Sequence, residues 1–214
     1  MKWGFKEKYG LQTGVLHETK TNTRREPFEH DFKDFRASFD KDNRLCVYDG
    51  DKLIKRSKVG IGDVVAVAQS YSEVYNELFL GDVNNYYDGT VRELGFKYKL
   101  MQENKHDIAG WNNKLYVKEQ LMLHKVVVTN IKVERLQDIS DEDCLKEGII
   151  KVKSLIYTAY TFIDYTKDER GNLPSHFFQK TPRDAFALLI VKMGDSKIWQ
   201  RNPWVFAYEF KLVK

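Results

Sequence analysis

Three residue types that could together attack an amide occur in two separate parts of the 214-residue chain. The hexapeptide KTNTRR, residues 20–25, contains Lys20 and Thr23, and the distant segment DISDEDCLKEGI contains Glu147. A threonine hydroxyl becomes a nucleophile when a base takes its proton, and a lysine whose pKa is lowered by burial or by nearby cations can act as that base. A glutamate can carry the proton for the leaving amine. The pattern therefore predicts a catalytic set of Lys20, Thr23 and Glu147.

Several cationic and aromatic side chains could bind a substrate. Two of them lie in KTNTRR itself, and the others are distant in sequence. Arg24 and Arg25 would present planar donor forks to a phosphate or to the edge of a base. Tyr71 and Trp111 could stack on a flipped base. Arg135 could line the same cleft as a polar side chain. We therefore predict these five residues as the substrate-binding group.

Each candidate also has an ordinary structural interpretation. Lys20 could be a solvated surface lysine, and Thr23 could be a strand residue without chemistry. Glu147 could be an exposed helix acid that pairs with Lys146 or Lys151. Tyr71 and Trp111 could belong to the core, and Arg135 could lie on the surface. These alternatives stay open at the level of sequence.

The composition is that of a folded protein. Hydrophobic residues make up 42% of the chain and charged residues 31%, which excludes a largely disordered chain. The net charge of +4 is too small to indicate a nucleic-acid binder by itself. The length suits one domain, so we predict a single domain over residues 1–214.

The patterns of cysteine, histidine and apolar residues limit which cofactors and which cellular compartment we expect. Cys46 and Cys144 are isolated, which favours a reducing cytosol over a disulfide framework. The five histidines show neither HExxH nor paired ligand spacing, so we expect no metal and no cofactor. The first ten residues, MKWGFKEKYG, lack the apolar segment of a secretion signal, and no apolar run approaches the ~20 residues of a membrane span. We expect a cytoplasmic protein without a membrane partner.

Two short helices are expected to position the catalytic candidates. Apolar spacing in YGLQTGVLHE predicts a helix that leads the chain into KTNTRR. A second helix of about two turns begins at Ser140, where Asp143 completes a capping box, and ends at Gly148. Glu147 would then lie in its last turn.

Further helices are indicated by spacing and by caps. They are expected from Tyr71 onward, between Thr181 and Gly194, and through Phe28, Phe32, Phe35 and Phe39, whose spacing of four, three and four is helical. The stretch at about 81–113, rich in Asn, Asp, Gly and Tyr, is expected to be an insertion.

Strands are expected to dominate the fold. They are predicted on both sides of the Asp49-Gly50 turn, in the valine-rich run 64–67, over HKVVVTNIKVERLQ and over the final WVFAYEFKLV. Many short strands with few helices predict an α+β, mainly β, fold. We expect a partly closed β-barrel with peripheral helices.

Five segments, taken in order, resemble the ASCH-domain proteins of phages and prophages, which belong to the PUA-like superfamily. The segments are KTNTRR, IGDVVAVAQSY, VERLQDISDEDCLKEGI, TPRDAFALLI and NPWVFAYEF. The resemblance implies a small PUA-like β-barrel with a cleft, in a superfamily associated with RNA and modified bases.

One branch of that family, the bacterial N(4)-acetylcytidine amidohydrolases, is similar in its K-T-x-T-x-R segment and in a glutamate near the end of a short helix. The resemblance places the catalytic lysine at Lys20, the threonine at Thr23 and the glutamate at Glu147, and it matches Arg25 to an arginine of the same segment. The chain departs from this branch at 17–19, where His-Glu-Thr replaces the usual glycine, and roughly half of the chain is additional.

The expected function is binding of RNA or a modified nucleoside in a barrel cleft. Its sharper form is hydrolysis of an N-acylated cytosine, with Thr23 as nucleophile, Lys20 as its base and Glu147 as proton carrier. The alternative is a non-catalytic phage or prophage accessory or interaction protein on the same fold.

Overall fold

The computed structural model describes residues 1–80, 109–163, 177–194 and 197–213, and these form an α+β structure in which strands predominate. The chain divides into two compact units. The first unit comprises Met1–Phe5 and Val64–Val126, and the second comprises Lys6–Asp63 and Val127–Lys214. Most of the expected insertion, residues 81–108, lies outside the described residues.

In the first unit a short parallel strand pair lies beside a helix. Strand β1 (Lys2–Trp3) pairs with β6 (Val64–Val67), and helix α2 (Tyr71–Leu80) follows the second strand. Two single turns of 3₁₀ helix, Lys114–Tyr116 and Glu119–Leu121, also belong to this unit. The strand at 64–67 and the helix from Tyr71 confirm the sequence prediction.

Antiparallel strands carry the KTNTRR segment in the second unit. Strand β2 (Asn22–Phe28) pairs with β10 (Trp204–Val213), and β10 is bordered on its other side by β7 (Lys125–Arg135). Thr23 lies opposite Tyr208 in this ladder. The long and the final strands that periodicity predicted are thus present, and together they fix the backbone of residues 22–28.

A second antiparallel sheet follows β2. It contains β3 (Phe35–Phe39), β4 (Leu45–Asp49) and β5 (Lys52–Arg56), and it confirms the predicted hairpin, with Gly50 in the left-handed region at φ 57°.

The predicted helix through Phe28, Phe32, Phe35 and Phe39 is wrong. Phe28 ends β2, while Phe35 and Phe39 begin and end β3. A spacing of four residues brings side chains together on a helix, but it also keeps two strand residues on the same face. The rings of Phe32 and Phe35 pack on Trp204 instead, with Phe35 stacked on it at a centroid distance of 5.1 Å, while Phe28 lies against Phe206.

Four further helices belong to the second unit, and two of them begin at the predicted side-chain caps. They are α1 (Leu11–Leu16), α3 (Asp141–Lys146), α4 (Pro182–Met193) and α5 (Ile198–Arg201). Ser140 Oγ accepts a hydrogen bond from Asp143 N at 3.1 Å, and Thr181 Oγ1 caps α4 in the same way. A hairpin of β8 (Ile150–Lys153) and β9 (Thr158–Thr161) follows α3. Within the described ranges no helix is long and apolar enough to cross a membrane.

Gly60 lies where the chain after β5 passes close to the backbone of the turn before β4. A Cβ atom at Gly60 would lie 2.4 Å from the carbonyl oxygen of Asp42. We expect Gly60→Ala to lower the free energy of unfolding by about 1–3 kcal/mol, because backbone must shift to admit the methyl group. Urea unfolding measures the change. Gly4→Ala, whose Cβ would meet no atom within 4 Å, is the control, and an equal loss in both variants would contradict the prediction.

Candidate functional site

Backbone hydrogen bonds bring the KTNTRR segment to the end of α3. The amides of Thr19 and Lys20 both donate to Gly14 O of α1 at 2.9 Å, and the amide of Thr21 donates to Lys146 O at 2.9 Å. Gly148, at φ 104°, ends the helix directly after Glu147. These contacts place Lys20 against Glu147 although the two residues are 127 positions apart in sequence.

The Lys20 ammonium is surrounded by acceptors. Lys20 is 2% exposed, and its Nζ donates to Glu147 Oε2 at 2.5 Å, to Glu147 O at 2.8 Å and to Asn22 O at 2.7 Å. An ammonium group has three donors, so these three acceptors satisfy it completely. Lys20 and Glu147 therefore form a buried, hydrogen-bonded ion pair.

Arg24 extends this pair into a larger network. Its side chain is 1% exposed, and NH1 donates to Glu147 Oε1 at 3.1 Å. Its Nε donates to Glu134 Oε1 at 2.8 Å, and NH2 lies 3.1 Å from Asp143 Oδ2. One guanidinium thus contacts three carboxylates. Glu134 belongs to β7, Asp143 belongs to α3, and Glu147 is the residue that follows α3.

Two more side chains complete what we call the charge cluster. Lys132 Nζ lies 2.7 Å from Asp143 Oδ2 and 3.0 Å from Glu134 Oε2, and Asn22 Nδ2 donates to Asp143 Oδ1 at 3.3 Å. The charged members of the cluster are Lys20, Arg24, Lys132, Glu134, Asp143 and Glu147. Three cations face three carboxylates, so the charge of the cluster is formally balanced, with Lys132 as its exposed member at 42% exposure.

Burial and pairing shift the pKa values of the cluster in different directions. Burial lowers the pKa of Lys20, and the Glu147 carboxylate opposes this effect. For Arg24, burial acts downward, but the carboxylates of Glu147 and Glu134 outweigh it and raise the pKa. For Asp143, burial acts upward, but Lys132 and Arg24 outweigh it and lower the pKa. Lys20 is therefore easier to deprotonate than an ordinary lysine, whereas Arg24 is harder to deprotonate than an ordinary arginine.

Thr23 is buried, at 6% exposure, but it lies on a different face of β2. Side chains alternate along a strand, and Asn22 and Arg24 both contact Asp143. By alternation Thr23 and Arg25 belong to the opposite face, although the charge of Arg25 still acts on Lys20 and that of Glu147 on Arg25. The structure therefore brings Lys20 and Glu147 together, and it does not place the Thr23 hydroxyl among the three partners of the Lys20 ammonium.

Arg25 lies on the face of β2 that Thr23 occupies. Burial lowers the pKa of Arg25 to about 10, and the charge of Glu147 opposes that shift. Opposite Thr23 on β10, Tyr208 donates its hydroxyl to Glu26 Oε1 at 2.6 Å. Burial raises the pKa of Tyr208. This second face of β2 also combines charge with burial.

The other predicted substrate-binding residues make contacts of their own. Tyr71 and Trp111, 2% and 7% exposed, belong to a hydrophobic core cluster of the first unit, which agrees with their interpretation as core residues. In the second unit, the Arg135 guanidinium lies 4.6 Å from the centre of the Trp204 ring and donates to Asn202 O at 3.2 Å. The stacking and binding roles of these three residues stay predictions.

A cavity of about 340 Å³ lies between α1 and the residues that end and follow α3. Its wall includes Gly14 and Gly148, where an added Cβ would lie 3.2 Å from Lys20 Cβ and 3.8 Å from Lys20 Cδ, respectively. Tyr9, Thr13, His17 and Ile149 are also part of the wall. Two residues of the wall thus lie near the lysine stem, while the ammonium points into the charge cluster.

Sequence reasoning missed Asn22, Lys132, Glu134 and Asp143 as members of the site. Asn22 lies inside KTNTRR, and Asp143 was identified only as the capping partner of Ser140. Lys132 and Glu134 are two positions apart on the predicted strand, so they share a face there. The sequence did contain one signal for them: Lys132 and Glu134 carry opposite charges on one face of a strand, and that strand leads to the helix before Glu147.

No group of three or more His, Cys, Asp and Glu side chains suited to a metal ion occurs in the part of the chain that the structure describes. The three carboxylates of the charge cluster instead bind lysine and arginine.

Comparison of the chain with protein-family models, with curated proteins and with solved structures finds no match. The ASCH resemblance and the catalytic roles therefore rest on the sequence segments and on the site geometry described above.

We expect Glu147→Gln to lower the free energy of unfolding by about 3–5 kcal/mol, because it removes one charge of a buried pair, leaves Lys20 without its carboxylate and leaves Arg24 with only Glu134 and Asp143. Urea unfolding near neutral pH measures the loss. Glu142→Gln is the matched control, since Glu142 is 78% exposed and pairs only with Lys146 across one helical turn. The control should change stability by less than about 1 kcal/mol. Equal effects would show that burial of the pair is irrelevant to stability.

The pH dependence of the same variant tests the state of Lys20. The pKa of Lys20 lies below its ordinary value of 10.5 in the folded chain, so between the folded pKa and 10.5 the unfolded state binds more protons and stability rises with pH. Glu147→Gln removes the group that opposes this shift, so the folded pKa should fall further and the rise should become steeper. Unfolding free energies from about pH 7 to pH 10 measure the slope. A flatter slope than that of the parent protein would contradict the prediction.

Proposed function

We propose that this chain is an ASCH-type protein of the PUA-like superfamily that binds RNA or a modified nucleoside and hydrolyses an N-acylated cytosine amide. The observation that carries the proposal is the buried contact between Lys20 and Glu147, at 2.5 Å, from segments far apart in sequence. The same two positions are those at which the resemblance implies a catalytic lysine and glutamate.

The cavity between α1 and the residues that end and follow α3 supports a small-molecule or nucleotide ligand. Its volume of about 340 Å³ falls in the range of ligand pockets, which are mostly apolar with a few polar groups. Isoleucine and glycine line part of it, while Tyr9, Thr13 and His17 supply polar atoms. We assign the base of the modified nucleoside to this cavity, with its acyl amide toward Gly14 and Gly148, the wall residues near Lys20.

The proposed reaction has two steps. Thr23 Oγ1 attacks the amide carbonyl carbon while its proton passes to the Lys20 amine. The carbon–nitrogen bond breaks, and the exocyclic amine of cytosine takes a proton from Glu147 as it leaves. Water then attacks the acyl-threonine ester and gives its proton to Glu147, the carbon–Oγ1 bond breaks as the carboxylic acid forms, and Lys20 returns its proton to Thr23 Oγ1.

Two features of the site bear on the first step. The lowered pKa of Lys20 favours the neutral amine that must accept a proton. The step also requires one of the acceptors around Lys20 to give way, so that Nζ and the Thr23 hydroxyl meet when the substrate binds. We assign that rearrangement to substrate binding.

The second candidate is a non-catalytic phage accessory or interaction protein on the same fold. The observation that favours it is the complete satisfaction of the Lys20 ammonium by Glu147 and Asn22, together with the position of Thr23 on the opposite face of β2. In that case the charge cluster stabilises the fold and carries no turnover.

Deacetylation of N(4)-acetylcytidine, followed by liquid chromatography, tests the proposal. We expect Thr23→Val to reduce kcat/KM by at least about a hundredfold, because the change removes the nucleophile and keeps the buried side-chain volume. Thr21→Val, two positions earlier in the same segment, is the matched control and should retain the parent rate.

Nucleoside binding, measured by calorimetry, separates the two candidates. Binding by Thr23→Val without turnover would support the catalytic role of the hydroxyl. A parent protein that gives no product, or a Thr23→Val variant as active as Thr21→Val, would remove the mechanism and leave the non-catalytic candidate.

A further inference from the structure

The tip of the β8–β9 hairpin exposes three consecutive large side chains. Leu155 is 105% exposed, Ile156 89% and Tyr157 54%, and the turn is closed by a hydrogen bond from Ser154 N to Tyr157 O at 2.9 Å. Single exposed apolar residues are ordinary, but a contiguous exposed group indicates a surface for interaction. We call residues 154–157 the hairpin tip.

The arms of the hairpin carry positive charge only. Residues 148–163 contain Lys151 and Lys153 and no aspartate or glutamate. Both lysines are exposed on β8, and Lys153 pairs in register with Thr158, next to the tip. Lys151 Nζ lies 5.8 Å from the centre of the Tyr160 ring on β9. The hairpin therefore combines an apolar, partly aromatic end with cationic arms.

Both arms of the hairpin start at the cavity. Ile149 and Ile150 line the cavity before and at the start of β8, and Ile163 lines it two residues after β9 ends. A strand rises by about 3.3 Å per residue, so the tip extends roughly 16 Å from the cavity wall. A ligand longer than one nucleotide would pass along the hairpin.

We propose that the β8–β9 hairpin binds the single-stranded nucleic acid that flanks the nucleotide held in the cavity. Lys151 and Lys153 pair with phosphates of the strand, and the side chains of Leu155, Ile156 and Tyr157 pack on its unstacked bases. This inference rests on the proposed nucleic-acid function and adds a second contact region to it. Positive grooves with aromatic stacking residues are the usual means of binding single strands without reading their sequence.

The alternative of membrane anchoring fits the tip less well. One myristoyl chain by itself binds a membrane only marginally, and the side chains of Leu155 and Ile156 together contain fewer carbon atoms than such a chain. Two lysines add modest attraction to an anionic surface. A flanking nucleic-acid strand uses the lysines, the tyrosine and the neighbouring cavity together, so it accounts for more of what the hairpin presents.

The test compares a short, fluorescently labelled RNA containing one N(4)-acetylcytidine with the free nucleoside. We expect the triple variant Leu155→Ser, Ile156→Ser and Tyr157→Ser to bind the RNA about tenfold more weakly and the nucleoside equally well. The matched control is Leu115→Ser with Tyr116→Ser, which changes residues that are 76% and 64% exposed in the first unit. That control should bind both ligands as the parent protein does.

The lysines are tested by salt dependence. In Lys151→Gln with Lys153→Gln, the slope of log affinity for the RNA against log salt concentration should fall by about one unit per lost phosphate contact. Lys41→Gln with Lys52→Gln, two exposed lysines of the second unit outside the hairpin, should keep the parent slope.

The outcomes separate this inference from the proposed function. Unchanged RNA affinity in the tip variant, with nucleoside binding retained, overturns the role of the hairpin and leaves the proposed function intact. Loss of binding to phosphatidylcholine–phosphatidylserine vesicles, or loss of self-association in size-exclusion chromatography, with unchanged RNA affinity would also overturn it. A parent protein that binds neither the nucleoside nor the RNA overturns both.

Discussion

Burial of the Lys20 ammonium is the constraint on which the candidate site depends. A charge removed from water is costly unless a carboxylate and further acceptors replace the lost hydration. Glu147 supplies one carboxylate oxygen and one carbonyl oxygen to Nζ, and Asn22 supplies a second carbonyl oxygen. These contacts require β2 and the end of α3 to keep their positions. The backbone bond from Thr21 to Lys146 holds the same two segments together.

The charge cluster spreads this requirement over the second unit. Arg24 joins Glu147 to Asp143 and Glu134, and Lys132 bridges the last two. Because equal numbers of cations and carboxylates meet, each partner offsets the burial of the others. Buried ion pairs of this kind add little net stability compared with apolar packing, but removal of one member is costly. The cluster therefore favours one arrangement of β2, β7 and α3.

Polar and apolar surroundings of Lys20 are separated. Its ammonium points into the charge cluster, whereas its aliphatic stem lies near Gly14 and Gly148, which also belong to the cavity wall. A side chain at either glycine would be crowded, since an added Cβ would lie 3.2 Å from Lys20 Cβ at Gly14 and 3.1 Å from Leu11 Cδ2 at Gly148. The segment that follows Gly148 lines the cavity and then becomes the β8–β9 hairpin. One short stretch of chain thus ends a helix, borders a ligand-sized space and presents an exposed cationic arm.

The sequence by itself determined the local elements, because their signals are local. Ser140 and Thr181 predicted where two helices begin, Asp49-Gly50 predicted a hairpin, and periodicity indicated β7 and β10. Local spacing failed at Phe28, Phe35 and Phe39, since four residues separate neighbours on one face of either a helix or a strand. The pairing of Lys20 with Glu147 was expected from the resemblance, whereas its surroundings were not. Only the tertiary structure decided that Arg24 is enclosed by three carboxylates, because this depends on contacts between segments more than a hundred residues apart.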